Sequence, residues 1–322
     1  MAAEILALAD IPDDAVELCG GKATNLGRLI RFGARVPPGY CITGEALERV
    51  LREAGVEEEI AGLASGLDFD DFAGVEAATG KIRDIIVRAP IPGDLEQDIA
   101  ARYGALISDA NRYVAVRSSV SVKNSAISSF PGMMDTYHYV LGARDVLARV
   151  RECWASLWTS RAAYLRHHKK IAHERGVIAP VVQLMVNADC AGVLFTANPI
   201  TKSRGDCMIE SNWGIGESVV SGRSMTDSYL LDKASGALRQ KAIANKNLMV
   251  VMDDGQGQGR MEVPVPADKA GQPTLSEAQL GELCRVGRLI EEQFDFPADI
   301  EWAFQDGQLF ILQARKIRDL DE

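Results

Sequence analysis

At 322 residues, 47% of them hydrophobic and 25% charged, the chain has the composition of a water-soluble globular protein with room for about two domains. Forty-five acidic against 35 basic residues give a formal charge of −10, which argues against a nucleic-acid-coating surface but permits a local basic site for anions. No apolar run approaches the ~18 residues of a membrane span; "MAAEILALADIPDD" is acidic where a secretory leader is basic, and six scattered cysteines without a CxxC pair read as reduced thiols, so a cytoplasmic protein with no disulfide framework or zinc site is predicted.

In chain order, "EILAL" predicts a strand, and "CGGKATNLGRLIRFG" a glycine turn followed by a helix, with Leu26, Leu29 and Ile30 at helical spacing and Gly33 as its stop. Two glycines and Lys22 at a helix start offer N–H donors and a positive charge to an anion. The GxxxxGK[ST] spacing of a Walker loop is missing. "VPPGYCIT" is extended, and Thr43 can cap a helix running to about Ala54. Residues 55–110 read as helices joined by polar loops. "VAVRSSVSVKNSAISSFPGMMDTYHYV" follows as a strand that halts at Arg117, a polar loop, and a second strand. An arginine beneath small side chains suits phosphate, which backbone N–H groups can approach closely. A surface hairpin with a disordered tip fits the same letters.

Asp145 to about Glu174 reads as the longest helical stretch, with Val146, Val150, Cys153, Trp154, Leu157 and Trp158 at three- and four-residue spacing. His167, His168 and His173 crowd its end without an HExxH arrangement and fit a solvated helix face. "APVVQLMV" and "AGVLFT" are β-rich. After residue 200 strands dominate; "WGIGESVVSG" does not match GxGxxG, which disfavours a dinucleotide fold. "DDGQGQGR" reads as an exposed loop, 276–294 as a helix, and 299–315 as a closing hairpin.

In that hairpin, "DIEWAF-QDG-QLFILQAR", a two-residue turn at Asp306-Gly307 would pair Trp302 with Ile311 and Ile300 with Gln313, burying an amide among apolar side chains. A three-residue loop, Gln305-Asp306-Gly307, shifts the register by one. Ile300, Trp302, Phe304, Phe310 and Leu312 then share one face; Asp299, Glu301, Gln313 and Arg315 share the other, with Leu309 and Ile311. Hard oxygens beside a guanidinium suit Mg²⁺ on a polyphosphate, although ordinary surface charges would give the same pattern.

Taken together, "GGKATNLGRL…GARVPPGYCIT", "VAVRSSVS…SFPGMMDTY", "VVQLMV…AGVLFTANP", "IESNWGIGESVVSG…D" and "DIEWAF…LFILQAR" resemble the nucleotide-binding domain of the phosphoenolpyruvate synthase, pyruvate phosphate dikinase and rifampin phosphotransferase family, in family order from about residue 18 to 317. The resemblance implies an α+β, ATP-grasp fold of two lobes, 1–183 and 184–322, with the nucleotide cleft between them. It implies ATP and Mg²⁺ as cofactors. Lys22 and Arg117 would grip phosphates, Gly132 and Thr136 belong to a lid, and Gln183 and Met185 line the adenine cleft. Glu301 and Gln313 would bind Mg²⁺, Arg315 would stabilise the transferring phosphoryl group, and Asp299 (metal) and Glu210 (nucleotide) are added from adjacent motifs. The catalytic set is then Arg315, Lys22 and Arg117.

Family members pass phosphate through a histidine on a swivelling domain downstream of the "LQAR" hairpin, whereas seven residues follow Arg315 here. None of His138, His167, His168 or His173 has the family's "SHAA" context. The implied function is therefore ATP-dependent phosphotransfer to a histidine on a separate domain or protein, with an unknown small-molecule acceptor and no nucleic-acid or membrane partner. A self-sufficient small-molecule kinase or ligase is the alternative. A regulatory module without turnover is disfavoured, because a sensor could lose Arg315 and still bind nucleotide.

Overall fold

The computed structural model describes residues 3–123, 136–317 and 320. It divides into two compact units of mixed helix and sheet, Met1–Arg28 with Pro38–Met185, and Leu29–Pro37 with Val186–Glu322. The segment 29–37 joins the second unit because the Arg35 carbonyl accepts the Ile311 amide at 2.8 Å and the Arg35 guanidinium donates to Gln308 Oε1 at 2.8 Å.

The first unit contains β1 (Ile5–Ala7), most of α1 (Val16–Arg31, whose last three residues fall in the second unit), β2 (Gly39–Ile42), α2 (Gly44–Ala54), α3 (Glu57–Ser65), α4 (Phe72–Arg88), α5 (Gly93–Leu106), β3 (Tyr113–Val122), β4 (Thr136–Leu141), α6 (Ala143–Ala155), α7 (Ser160–His168) and β5 (Gly176–Leu184). Its strands form one antiparallel sheet in the order β1-β2-β5-β3-β4. Val114, Val116, Val120, Ile178, Val182, Tyr40 and Ile42 point from one sheet face into a core completed by α2, α4, α5 and α6. The alternate positions leave a second face, which carries Arg117 and Gln183.

Three local features depart from what the sequence predicts. Strand β3 does not halt at Arg117 but runs to Val122, because "RSSVSV" pairs with β5 from Arg117↔Val181 to Val122↔Gly176 and is buried throughout. Thr43 does stand at the N-cap of α2, but its hydroxyl donates to the Ala3 carbonyl rather than capping the helix. The stretch 145–174 is not one helix: a single 3-10 turn over Ser156–Trp158 and an extended Thr159 break it, and the Thr159 hydroxyl caps α7 by accepting the Ala162 amide. The apolar positions that suggested continuity, Val146 through Trp158, are buried all the same.

Of the crowded histidines, His167 stacks on Phe69 and His173 accepts a hydrogen bond at Nδ1 from Arg166 Nε at 3.0 Å. Burial, and then the Arg166 charge, push the His173 imidazole down to about 4. The folded pKa lies below the ordinary 6.5, so the unfolded chain takes up this proton first. The stability associated with neutral His173 is complete above pH ~6.5 and is lost as pH falls towards ~4. In His173→Gln, which keeps an acceptor for Arg166, the fall in urea midpoint between those pH values should be smaller than in the parent chain. Parallel curves would show that His173 does not titrate in this way.

The second unit contains β6 (Cys190–Phe195), β7 (Asp206–Trp213), α8 (Glu217–Val220), β8 (Asp227–Asp232), β9 (Leu238–Ala242), β10 (Leu248–Met252), β11 (Arg260–Pro264), α9 (Ala267–Ala270), α10 (Glu277–Phe294), β12 (Ala298–Gln305) and β13 (Gln308–Lys316). Six strands form an antiparallel sheet in the order β13-β12-β6-β7-β8-β9, and β10 and β11 form a separate ribbon closed by the glycine-rich turn. Ser276 and Gln279 make a reciprocal capping box at the start of α10, which is the longest described helix. Gly287 lets that helix sit close to Leu194.

The closing hairpin departs from the expected turn yet reaches the expected polar register. Asp306 (φ 51°) and Gly307 (φ 72°) form the two-residue turn, so Gln305 pairs with Gln308 and Trp302 with Ile311. A β-bulge at Leu312 then takes up one extra residue, after which Glu301 faces Gln313 and Asp299 faces Arg315. Because the shift comes in mid-strand, Leu309 and Ile311 lie on the buried face with Ile300, Trp302 and Phe304. Phe310 and Leu312 cluster instead with Ala303.

All six cysteines are buried and free, three in each unit. Among the described residues no helix is long and apolar enough to cross a membrane.

Candidate functional site

The first unit places its candidates on the sheet face turned away from the core. Arg117 is buried in the middle of β3, with Thr136 its direct partner on β4 and Val181 its partner on β5. Two residues beyond Val181 on the same face, Gln183 is buried with Oε1 at 3.5 Å from Arg117 Nη1, the long end of hydrogen-bond range. Met185 lies just past the end of β5. Its amide donates to the Tyr113 carbonyl, its carbonyl accepts Asn111 Nδ2 at 2.8 Å, and its side chain is buried. Gly132 lies outside the described residues.

Lys22 owes its place to a break in α1. Gly20 has φ 73° and ψ 166°, so the helix restarts after it and the half-buried Lys22 falls in the new first turn. A Cβ at Gly20 would lie 2.4 Å from Ser119 Oγ and 2.6 Å from the Val120 nitrogen, so both the positive φ and the close approach to β3 require glycine. Ser119 Oγ accepts the Ala23 amide at 3.0 Å. Sequence reasoning picked out the glycines and the lysine and missed the serine; the signal lay in "RSS", two residues after Arg117.

The second unit assembles its candidates by register. Reading across the sheet, Gln313, Glu301, Val193, Glu210 and Ser228 occupy one row on β13, β12, β6, β7 and β8. Side chains in one row share a face. Gln313 and Glu301 are direct neighbours, and Glu210 stands two strands further, ~10 Å away by ordinary strand spacing. All three are half-buried, and burial raises the Glu210 carboxyl above its usual range. The next row on that face begins with Arg315 and Asp299. Arg315 Nε and Nη2 both donate to Asp299 Oδ2 at 2.8 Å, which fixes the guanidinium plane. Burial raises the Asp299 carboxyl while the Arg315 charge opposes the shift.

The donor chemistry of Glu301 and Gln313 fits Mg²⁺, which takes hard oxygens and usually needs one or two carboxylates besides phosphate and water. Asp299 has one oxygen engaged by Arg315, leaving Oδ1 for any cation. Among the described residues no group of three or more histidine, cysteine, aspartate or glutamate side chains forms an all-protein cage.

The mixed helix and sheet of the two units are of the α+β, ATP-grasp type. The chain belongs to the pyruvate phosphate dikinase, AMP/ATP-binding domain family, which it matches over residues 16–322. It is 35% identical to the phosphoenolpyruvate synthase of Pyrococcus furiosus, an alignment covering 97% of this chain and 43% of that protein. It is 36% identical to a probable phosphoenolpyruvate synthase of Methanothermobacter thermautotrophicus (97% and 46%). With the prodigiosin synthesizing transferase PigC of Serratia marcescens it shares 38% identity over 92% of the chain and 31% of that protein. The chain therefore spans less than half the length of these relatives.

Proposed function

We propose that the chain is the ATP-binding part of a phosphotransferase of the phosphoenolpyruvate synthase and pyruvate phosphate dikinase type. It splits Mg·ATP so that, with one water consumed, AMP and phosphate are released and one phosphoryl group is left on a histidine of a separate domain or protein. The observation that carries this reading is the register that sets Arg315 and Asp299 beside Glu301 and Gln313 on one face of a sheet. In the first unit, Lys22 and Arg117 bind phosphates, Thr136 on β4 borders the nucleotide beside Arg117, and Gln183 and Met185 contact adenine. In the second, Glu301 and Gln313 hold Mg²⁺, Glu210 borders the nucleotide, and Arg315 faces the terminal phosphates. When bound, the metal offsets phosphate charge; Arg315, oriented by Asp299, stabilises the charge that spreads over the phosphoryl oxygens during transfer.

Phosphorus NMR of Mg·ATP incubated with the chain and a phosphohistidine-domain protein should show AMP and phosphate. Accumulation of ADP would overturn the dikinase-type reading.

Within this scheme Arg315→Lys should separate binding from turnover. Lysine keeps the charge but cannot reproduce the planar fork held by Asp299. Calorimetry should find Mg·ATP affinity within about tenfold of the parent chain, ~1.4 kcal/mol or less. Single-turnover ATP consumption with the acceptor should fall by about a hundredfold or more, the scale for losing one preorganised donor. Equal losses in both would make Arg315 a uniform binding residue.

A further inference from the structure

We propose that Ser119 is a positioning residue for Lys22, acting as an external N-cap for the helix segment that carries it. The inference rests on the reading of Lys22 as a phosphate ligand and adds a residue to it.

A helix start leaves its first N–H groups without partners, and the N-cap side chain normally accepts one of them at the second or third helical position. In α1 the segment after the break begins at Gly21, so the N-cap is Gly20, which has no side chain. Nor can it acquire one, because its φ is positive and its Cα lies against β3. The cap must come from elsewhere. Ser119 supplies it: its Oγ accepts the amide of Ala23, the third residue of the segment, at 3.0 Å, and the serine is 1% exposed. Thr24 closes the same turn by donating from Oγ1 to the Gly20 carbonyl at 2.9 Å.

The residue between the glycine pair and the capped amide is Lys22. Ser119 also lies two positions along β3 from Arg117 and on the same face. One strand thus carries a guanidinium and, one step further, the oxygen that fixes where the lysine-bearing turn sits. Serine is suited to the position because its hydroxyl is short enough to fit beneath Gly20, where a longer side chain would meet the turn.

The test is a double-mutant cycle in the intact chain, measuring Mg·ATP and adenosine binding by calorimetry for Ser119→Ala, Lys22→Ala and the pair. Ser119→Ala should weaken Mg·ATP about tenfold and leave adenosine unchanged. In the Lys22→Ala background the same substitution should cost less than about twofold, since no lysine remains to be placed. Amide hydrogen exchange at Ala23 in the ligand-free chain should accelerate in Ser119→Ala, reporting loss of the cap without nucleotide. Additive losses, an equal loss for adenosine, or unchanged exchange would overturn the positioning role. Lys22→Ala with unchanged Mg·ATP affinity would overturn both the phosphate reading of Lys22 and the proposal resting on it. Should Ser119→Ala fail to fold, Ser119→Cys, with a weaker acceptor, takes its place, and an intermediate Mg·ATP loss is the result expected.

Discussion

Replacing Lys246 by methionine should lower the unfolding free energy by ~3–5 kcal/mol, the cost of leaving one member of a buried ion pair alone. Lys246 and Asp227 are both fully buried, with Nζ 2.7 Å from Oδ1. The Asp227 carboxylate also accepts the Ala244 amide at 3.0 Å, and the Thr274 amide and hydroxyl at 2.9 Å each. Asp227 opens β8, so this one side chain ties a strand inside the sheet to the segments around residues 244–246 and 274. Methionine fills the volume of lysine but leaves a carboxylate in low dielectric with its charge uncompensated. The double variant Asp227→Asn/Lys246→Met should lose less than the sum of its single variants, because the charge is then removed from both sides. Urea unfolding is the measurement, and a loss below ~1 kcal/mol for Lys246→Met would mean that water reaches the pair.

Trp302→Ala should cost a similar ~3–5 kcal/mol, the usual range for truncating a buried aromatic. Trp302 is wholly buried, stands edge-on to Phe304 with ring centroids 5.6 Å apart, and holds the apolar face of the hairpin opposite Ile311. Its indole Nε1 has no hydrogen-bond partner among the described residues. A buried donor without an acceptor is itself unfavourable. Trp302→Phe should therefore lose volume but shed that penalty, for a net change under ~1.5 kcal/mol. Glu301→Ala, one residue away on the other face, should leave the urea midpoint within ~0.5 kcal/mol equivalent, as for other partly exposed substitutions. If Glu301 proved structural and Trp302 tolerant, the assignment of faces would be inverted.

Much of the architecture is legible in the sequence, because apolar periodicity reports which face of an element is buried. The helix over 276–294 and the closing hairpin came from that signal, whereas the α+β class came from the family resemblance. The hairpin also shows its limit. Alternation demanded that Glu301 and Gln313 face each other, and a longer loop was the simplest way to achieve it; the chain instead keeps the two-residue turn and bulges at Leu312. A bulge leaves no mark in the letters, since an extra apolar residue looks like one more strand position. Arg117 misled for the opposite reason. Serines after it suggested a loop, but their small side chains fit where α1 approaches β3, and only the tertiary contact reveals the need. The Asp227–Lys246 pair was beyond reach altogether: nothing local distinguishes a buried lysine from the many solvated ones.

The six interior thiols give this protein a built-in clock. A membrane-permeant alkylating reagent meets no sulfur in the closed molecule, because Cys19, Cys41, Cys153, Cys190, Cys207 and Cys284 are all buried. Labelling can proceed only through openings, and slow labelling under native conditions measures how often they occur. Three reporters fall in each compact unit, so mass spectrometry of the tagged peptides yields two opening frequencies from one sample, without a probe being engineered. Adding Mg·ATP to the same assay would then read, unit by unit, how far nucleotide slows each one.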